Sequence, residues 1–125
     1  MTVEQRTSEV YADYASSGAT MADARVDVEG GIQVLSVYAT IGLKEMPGDT
    51  IVVDDDAESL IGNPGFVGQT VYSSRPGIAV LINAFNFPVW GMLEKLAPAV
   101  LAGLPVIVKP ATTTAHLAEI VARQI

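Results

Sequence analysis

Two short, uninterrupted apolar runs constrain the fold of this chain more than any other feature. They occupy residues 78–82 and 105–108. Runs of this kind are typical of strands that are covered on both faces, as in a parallel sheet. Between them lies an apolar stretch, residues 89–102, which we predict to be a helix that ends at Gly103 as a C-cap and is kinked or divided at Pro98.

A final helix is predicted to begin at the threonines 112–114 and to extend through Ile125. The order strand, helix, strand, helix predicts a βαβα unit over residues 77–125, with a right-handed crossover. The expected fold class is therefore α/β with a partial Rossmann-like parallel sheet, preceded by a helical segment (1–48) and a loop and strand or hairpin segment (49–76). The sheet would be incomplete at the end of the chain, which leaves open whether the chain folds alone.

The first segment is predicted to contain two helices, over residues 3–17 and 22–45, with Pro47 ending the second. Gly30 and Gly31 lie inside the second helix, where each costs roughly 1 kcal/mol relative to alanine. We therefore expect them to allow close packing against a neighbouring backbone. Residues at helical spacing predict one buried stripe along this helix: Val28, Ile32, Leu35, Tyr38 and Gly42.

Residues 49–65 are acidic and rich in turn-forming residues, which is typical of either a surface loop or a loosely held strand. In residues 66–74, apolar and polar side chains alternate imperfectly, and this pattern predicts a strand. Three consecutive carboxylates at 54–56 could suggest a cation site. No further ligand spacing supports one, so a solvated loop is the favoured interpretation.

Composition excludes several functions. The chain has 7 basic and 14 acidic residues and a formal net charge of −7, whereas nucleic-acid binding needs clustered lysine and arginine. It has no cysteine, which excludes disulfides and a cysteine nucleophile within these residues and fits a cytoplasmic location. The longest apolar region contains Glu94 and Lys95, which are adjacent and not expected to face each other, so a buried core is predicted there rather than a membrane span.

Ligands of open parallel sheets bind at the carboxyl ends of the strands. Here those ends are followed by residues 83–88 and 109–112, which are rich in polar and aromatic side chains. Neither segment is a glycine-rich dinucleotide fingerprint. Trp90 and Met92 are interpreted as core residues, and His116, the single histidine, as a surface residue without a catalytic role.

Residues 77–88, 96–103 and 105–111, in this order and spacing, resemble the aldehyde dehydrogenase superfamily. There, an Asn-Phe-Pro motif follows the first strand of the nucleotide-binding domain, and Lys-Pro-Ala follows the second. More narrowly, residues 26–31, 82–88 and 90–98 resemble a branch of that superfamily. This branch includes the semialdehyde dehydrogenase domain of the bifunctional phenylacetate-degradation ring-opening enzyme and its relative in benzoyl-CoA degradation.

The resemblance assigns Asn86 to the oxyanion site. In that superfamily, the asparagine of Asn-Phe-Pro donates its amide to the oxyanion that develops when a cysteine attacks the aldehyde. A fixed donor of this kind is typically worth about 100- to 1000-fold in rate. The residues alone favour a different role, in which Asn86 caps the helix that begins near Pro88, and the resemblance reverses that preference.

The resemblance also implies a cofactor site. Lys109 would take the place of the lysine that reaches the adenosine ribose. Many NAD-preferring members carry glutamate after Lys-Pro-Ala, whereas Thr112 follows Ala111 here. Because this position lacks a carboxylate, it does not repel the 2′-phosphate of NADP. We therefore expect NADP as the cofactor, with NAD as the alternative. Four residues are expected to line the cofactor cleft by position: Ile82, Asn83, Ala84 and Phe85.

The implied activity is oxidation of an aldehyde by a nicotinamide cofactor. The expected substrate is a semialdehyde, in the form of a CoA thioester, from phenylacetate or related aromatic breakdown. The implied full-length protein is a cytoplasmic homo-oligomer without a nucleic-acid or membrane partner, and no metal site is expected. Because the mechanism needs a cysteine, we expect these 125 residues alone to be inactive. The alternative is a non-catalytic module that binds nucleotide or associates with other subunits.

Overall fold

The computed structural model describes residues 3–46, 48, 50–62 and 65–125, and its fold class is α/β, as predicted. Two short 3₁₀ turns lie at Ala15–Ser17 and Thr112–Thr114. The described residues form α1 (Val3–Tyr14), α2 (Met21–Glu45), β1 (Ile51–Ser59), β2 (Val67–Ser73), β3 (Ala79–Ile82), α3 (Trp90–Leu101), β4 (Val106–Lys109) and α4 (Ala115–Ala122).

Both helices predicted in the first segment are confirmed, and their ends have local causes. Gly18 has a φ of +78°, a conformation that glycine adopts without strain, and it separates the first helical segment from α2. The Thr20 hydroxyl caps α2 by accepting from the Asp23 amide at 3.1 Å. Residue 47, the predicted stop signal of α2, lies outside the described residues.

The buried stripe of α2 differs from the predicted one at Ile32, whose side chain is 48% exposed. The buried residues of α2 are Ala24, Asp27, Val28 and Gly31, so Gly31 takes the place of Ile32 in the buried stripe. The physical reason is the neighbour: α3 packs along the glycines of α2, and Gly31 rather than Ile32 faces it. The close approach to a neighbouring backbone is confirmed at Gly31, which faces the Trp90 backbone, whereas Gly30 packs against the Trp90 indole.

Strands β1 and β2 form an antiparallel pair, in which Ile51 lies opposite Ser73 and Ser59 lies opposite Val67. The pairing is irregular between Asp54 and Glu58. Of the two interpretations of residues 49–65, the structure therefore contains the strand, and the acidic run lies within it rather than in a loop. Among the described residues, no group of three or more histidine, aspartate or glutamate side chains could hold a metal ion. Residues 63 and 64, part of the predicted turn signal, lie outside the described residues.

Strands β3 and β4 pair in parallel, as predicted, with Ala79 opposite Val106 and Ile82 opposite Lys109. The expected coverage of both faces is wrong. Leu81 is buried on the α3 side, whereas Val80 is 61% exposed on the other side, because no described element packs on that face.

Helix α3 is continuous through Pro98, so the predicted division at this residue is wrong. Gly103 follows the helix with a φ of +75°, and its amide donates to the Val100 carbonyl while the Leu104 amide donates to the Ala99 carbonyl, both at 2.9 Å. This pair of bonds is a Schellman motif, which confirms glycine as the stop signal.

Helix α4 ends at Ala122 rather than at Ile125. The Thr114 position is its N-cap, but the Thr114 side chain makes no capping hydrogen bond. The hydrophobic core joins α1, α2, α3 and α4 through residues that include Val28, Met92, Leu93 and Leu117. None of the described helices combines the length and the apolar composition needed to cross a membrane.

Candidate active site

The two sequence segments predicted to carry the site lie at the same edge of the β3–β4 pair. Because these strands are parallel neighbours, their carboxyl ends meet, and Ile82 lies opposite Lys109. The pairing continues one residue further, since the Asn83 amide donates to the Lys109 carbonyl oxygen at 3.1 Å. The segment that carries Asn86 and the segment that carries Lys109 therefore begin side by side.

Most of the predicted site residues present their side chains to solvent at this edge. Ile82 and Phe85 are 67% and 66% exposed. The remaining residues of the set are also exposed or half-buried: Ala84, Asn86, Lys109, Ala111 and Thr112. The Lys109 ammonium contacts the carbonyl oxygen of the next residue, Pro110, at 3.3 Å. Neither segment contains an acidic residue, so lysine sets the local charge of this edge.

Asn83 differs from the other members of this set, because its side chain is buried against α3. Its Oδ1 accepts from the Lys95 ammonium at 3.3 Å, and its Nδ2 is buried without a hydrogen-bond partner among the described residues. Lys95 also donates to the Gly91 carbonyl at 2.7 Å and contacts the Glu94 carboxylate at 3.4 Å. The expectation that Glu94 and Lys95 do not face each other is therefore wrong.

The beginning of α3 is capped from a distant helix. No side chain of its own segment caps it at the N-cap residue, Val89. Instead, the Asp27 carboxylate of α2 accepts from the Val89 amide at 3.0 Å through Oδ2 and from the Trp90 amide at 2.7 Å through Oδ1. The capping role considered for Asn86 thus belongs to Asp27, and no described group is hydrogen-bonded to the Asn86 side chain.

Asp27 is itself only 1% exposed, and the Tyr14 hydroxyl of α1 donates to its Oδ2. Burial raises the pKa of Tyr14 above its usual value, and the hydrogen bond to Asp27 and the charge of that carboxylate raise it further. The Asp27 carboxylate therefore accepts three hydrogen bonds, from groups in α1 and at the start of α3.

A shallow groove of about 260 Å³ begins beside the Asn-Phe-Pro turn. It is lined by Val26, Phe87, Trp90, Gly91 and Glu94. The rings of Phe87 and Trp90 meet edge to face, with centroids 6.3 Å apart. Met92 is fully buried, as predicted, whereas Trp90 is half-buried and forms one wall of the groove.

The sequence profile of the aldehyde dehydrogenase family matches residues 2–125. The chain belongs to the aldehyde dehydrogenase family. It is 46% identical over 104 residues to the 3,4-dehydroadipyl-CoA semialdehyde dehydrogenase of Aromatoleum evansii, which covers 83% of this chain and 20% of that protein.

Two further relatives support the assignment. The alpha-ketoglutaric semialdehyde dehydrogenase of Bacillus subtilis is 32% identical over 116 residues, which is 90% of this chain and 21% of that protein. The D-glyceraldehyde dehydrogenase (NADP(+)) of Thermoplasma acidophilum is 29% identical over 108 residues, which is 86% of this chain and 20% of that protein. The chain thus spans about a fifth of the length of these relatives.

Within this aldehyde dehydrogenase segment, sequence reasoning found the residues at the sheet edge and missed Asp27. The available signal was a carboxylate between two valines, Val26 and Val28, four residues before Gly31 on the buried side of α2. His116 also has a structural contact, since its Nε2 lies 2.8 Å from the Ser16 hydroxyl. That contact joins α4 to the first 3₁₀ turn.

Proposed function

We propose that this chain forms part of the cofactor-binding domain of an aldehyde dehydrogenase that oxidises a semialdehyde to the acid and prefers NADP. The observation that carries the proposal is the shared sheet edge, where the exposed Asn86 amide and the exposed Lys109 ammonium follow two parallel strands. Family membership and the 46% identity to a CoA-semialdehyde dehydrogenase support a CoA-linked semialdehyde from aromatic breakdown as the substrate.

In this proposal Asn86 is the oxyanion donor. The Val89 and Trp90 amides at the start of α3 would otherwise be available to an anion, but Asp27 already accepts from both. A developing negative charge beside this turn can therefore not use these two amides, and the exposed side-chain amide of Asn86 is the donor that we propose for it. The groove along Phe87 and Trp90 begins at the residue that follows Asn86 in the chain and would accept the apolar part of the aldehyde.

The cofactor-facing residues fit a nucleotide that carries a 2′-phosphate. Lys109 supplies a positive charge, and Thr112 supplies a hydroxyl where a carboxylate would repel the phosphate. Ile82 and Phe85 offer exposed apolar surface at the same edge for a ring of the cofactor. When bound, the nicotinamide accepts the hydride, and this chain's part is to hold the nucleotide and to orient the aldehyde.

The test uses a chimaera in which all 125 residues replace the matching segment of the Aromatoleum evansii enzyme. In this chimaera, Asn86→Ala is expected to lower kcat by about 100- to 1000-fold, because one preorganised oxyanion donor is lost. The KM for NADP should change little. A chimaera that folds and binds NADP but keeps its full kcat without the Asn86 amide would contradict the proposed role.

The preference for NADP over NAD can be tested with substitutions at two adjacent exposed threonines, Thr112 and Thr113. Thr112→Glu should lower kcat/KM for NADP relative to NAD by about tenfold or more, since a carboxylate near a phosphate costs on the order of 1–2 kcal/mol. Thr113→Glu adds the same charge one residue later and serves as the control. Equal effects of the two substitutions would show that the net charge matters and the Thr112 position does not.

A non-catalytic module is the second candidate, favoured by the absence of cysteine from all 125 residues. In either case, we expect the chain by itself to oxidise no aldehyde, because it supplies no thiolate. Calorimetric titration of the purified chain with NADP tests the nucleotide-binding version, which fails if no heat is detected at millimolar cofactor. The proposed enzyme acts as a cytoplasmic homo-oligomer without a nucleic-acid or membrane partner.

A further inference from the structure

We infer that Asp27 is a positioning residue that acts through Asn86. The inference rests on the proposed function, because it concerns the geometry of the proposed oxyanion donor. Asp27 is not among the residues that line the proposed substrate groove, and it is not one of the residues expected at the cofactor edge. Its two oxygens instead accept from consecutive backbone amides that follow Asn86 by three and four residues.

The two hydrogen bonds fix both the position and the direction of the α3 terminus. A single acceptor would let the first turn pivot, whereas one carboxylate that holds two successive amides at 3.0 and 2.7 Å opposes rotation as well as translation. Hydrogen bonds to an ionised acceptor are roughly twice as strong as those between neutral groups. Burial of the carboxylate excludes the water that would compete for these amides.

Little freedom remains between the capped amides and Asn86. Phe87 and Pro88 are the two residues between Asn86 and Val89. The proline ring fixes one backbone dihedral, and the Phe87 carbonyl accepts from the Gly91 amide at 2.9 Å, which ties Phe87 to the first turn of α3. Asn86 is therefore the first residue before a clamped segment, and the backbone from which its side-chain amide extends takes its position from that segment.

Asp27 is held in turn by two features of the surrounding helices. The Tyr14 hydroxyl of α1 donates to the same oxygen that caps Val89, so α1 orients the carboxylate. Gly30 and Gly31 allow α3 to approach α2, since a Cβ on Gly31 would lie 3.2 Å from the Trp90 Cα. These contacts bring three helices together at the amides that follow Asn86.

A purely structural role would predict a different result. If Asp27 only stabilised the contact between α2 and α3, its loss would lower the thermal stability of the enzyme without a specific effect on the chemical step. If it positions Asn86, its loss should lower kcat because the donor is misaligned. Misplacement of a catalytic group by about 1 Å can cost on the order of 100-fold in rate.

The experiment is a double-mutant cycle in the chimaera. Asp27→Asn keeps the shape of the side chain and one carbonyl oxygen but cannot cap both amides, and we expect it to lower kcat by about 10- to 100-fold with little change in the KM for NADP. In an Asn86→Ala background the same substitution should change kcat by less than about twofold, because the donor that it positions is already absent. Tyr14→Phe should give a smaller decrease, since both capping bonds remain.

Val28→Ala is the matched control, because Val28 is the next residue of α2, is buried in the core and has no side-chain atom that could accept from the α3 amides. It should lower the melting temperature and leave kcat unchanged. Equal losses of kcat from Asp27→Asn in both backgrounds, or a comparable loss from Val28→Ala, would overturn the inference. If Asn86→Ala alone leaves kcat unchanged, the proposed function fails, and this result is distinct from a failure of the positioning role.

Amide hydrogen exchange supplies a readout that does not depend on turnover. In Asp27→Asn, the peptide over residues 86–92 should exchange about tenfold faster, because two of its amides lose an ionised acceptor. Val28→Ala should not accelerate exchange selectively in that peptide. Unchanged exchange of residues 86–92 in Asp27→Asn would overturn the inference even if kcat fell.

Discussion

Glycine-to-alanine substitutions at two positions of α2 can be compared directly, because the change in helix propensity is the same at both. Gly30 and Gly42 both lie inside α2, so replacement by alanine should gain roughly 1 kcal/mol of helix propensity at either site. The new methyl groups meet different neighbours. At Gly30 the Cβ would lie 2.9 Å from the Trp90 Cδ2 and closer still to two other indole atoms, whereas at Gly42 the obstacle is the Cδ1 end of Leu101.

The magnitude follows from these obstacles. The indole is rigid and packs at the start of α3, so Gly30→Ala must displace the whole ring, and overpacking of this kind costs about 1–3 kcal/mol. With the upper part of that range set against the propensity gain, we expect a net loss of about 2 kcal/mol. A leucine methyl can rotate away, so Gly42→Ala should be neutral or stabilising by up to about 1 kcal/mol.

Hydrogen exchange in the chimaera measures this difference locally. A loss of about 2 kcal/mol corresponds to roughly 30-fold faster exchange in the peptides of α2 and the first turn of α3 for Gly30→Ala. Gly42→Ala should leave those rates unchanged or lower them. If the two variants exchange at the same rate, the close approach of Trp90 to Gly30 does not limit the packing of these helices, and the reasoning is refuted.

Two further predictions concern Tyr14 and Gly103. The raised pKa of Tyr14 means that the native state holds the phenol proton more tightly than the unfolded state does. The contribution of Tyr14 to the free energy of unfolding is therefore fully present below pH 10. Above that pH it is lost, by up to about 1.4 kcal/mol per pH unit. Tyr14→Phe should flatten the dependence of the urea midpoint on pH between about 9 and 11. Gly103→Ala should lower the urea midpoint by the equivalent of about 1–2 kcal/mol, because alanine is strained at a φ of +75°; an unchanged midpoint would contradict this.

The elements that could be predicted are those with local signals. The apolar runs of β3 and β4 and the glycine after α3 lie within a few residues of the structure that they specify. The sheet edge that carries the proposed site could also be predicted, because the carboxyl ends of two neighbouring parallel strands, here β3 and β4, lie at the same edge. Family resemblance then supplied the proposed roles of Asn86 and Lys109, which spacing alone did not.

The elements that could not be predicted depend on contacts between distant parts of the chain. Asp27 precedes Val89 by 62 residues, and no local pattern shows that its carboxylate faces the start of another helix. The exposure of Ile32 has the same origin, because α3 lies over Gly31 rather than over the stripe that periodicity favoured. Local signals define which face of a helix is apolar, whereas the neighbour decides which residue on that face is buried.

The charge of the proposed cofactor edge differs in sign from that of the chain. The net charge of −7 would repel an anionic dinucleotide if it acted evenly over the surface. Asp27, the carboxylate that caps the helix following the Asn86 turn, is buried and accepts three hydrogen bonds, so its charge is directed at the α3 amides rather than at solvent. Lys109 then acts at the edge without a competing acidic neighbour in either edge segment, 83–88 or 109–112. The buried Asp27 carboxylate thus holds the helix start that follows Asn86, and its hydrogen bonds direct its charge at the α3 amides.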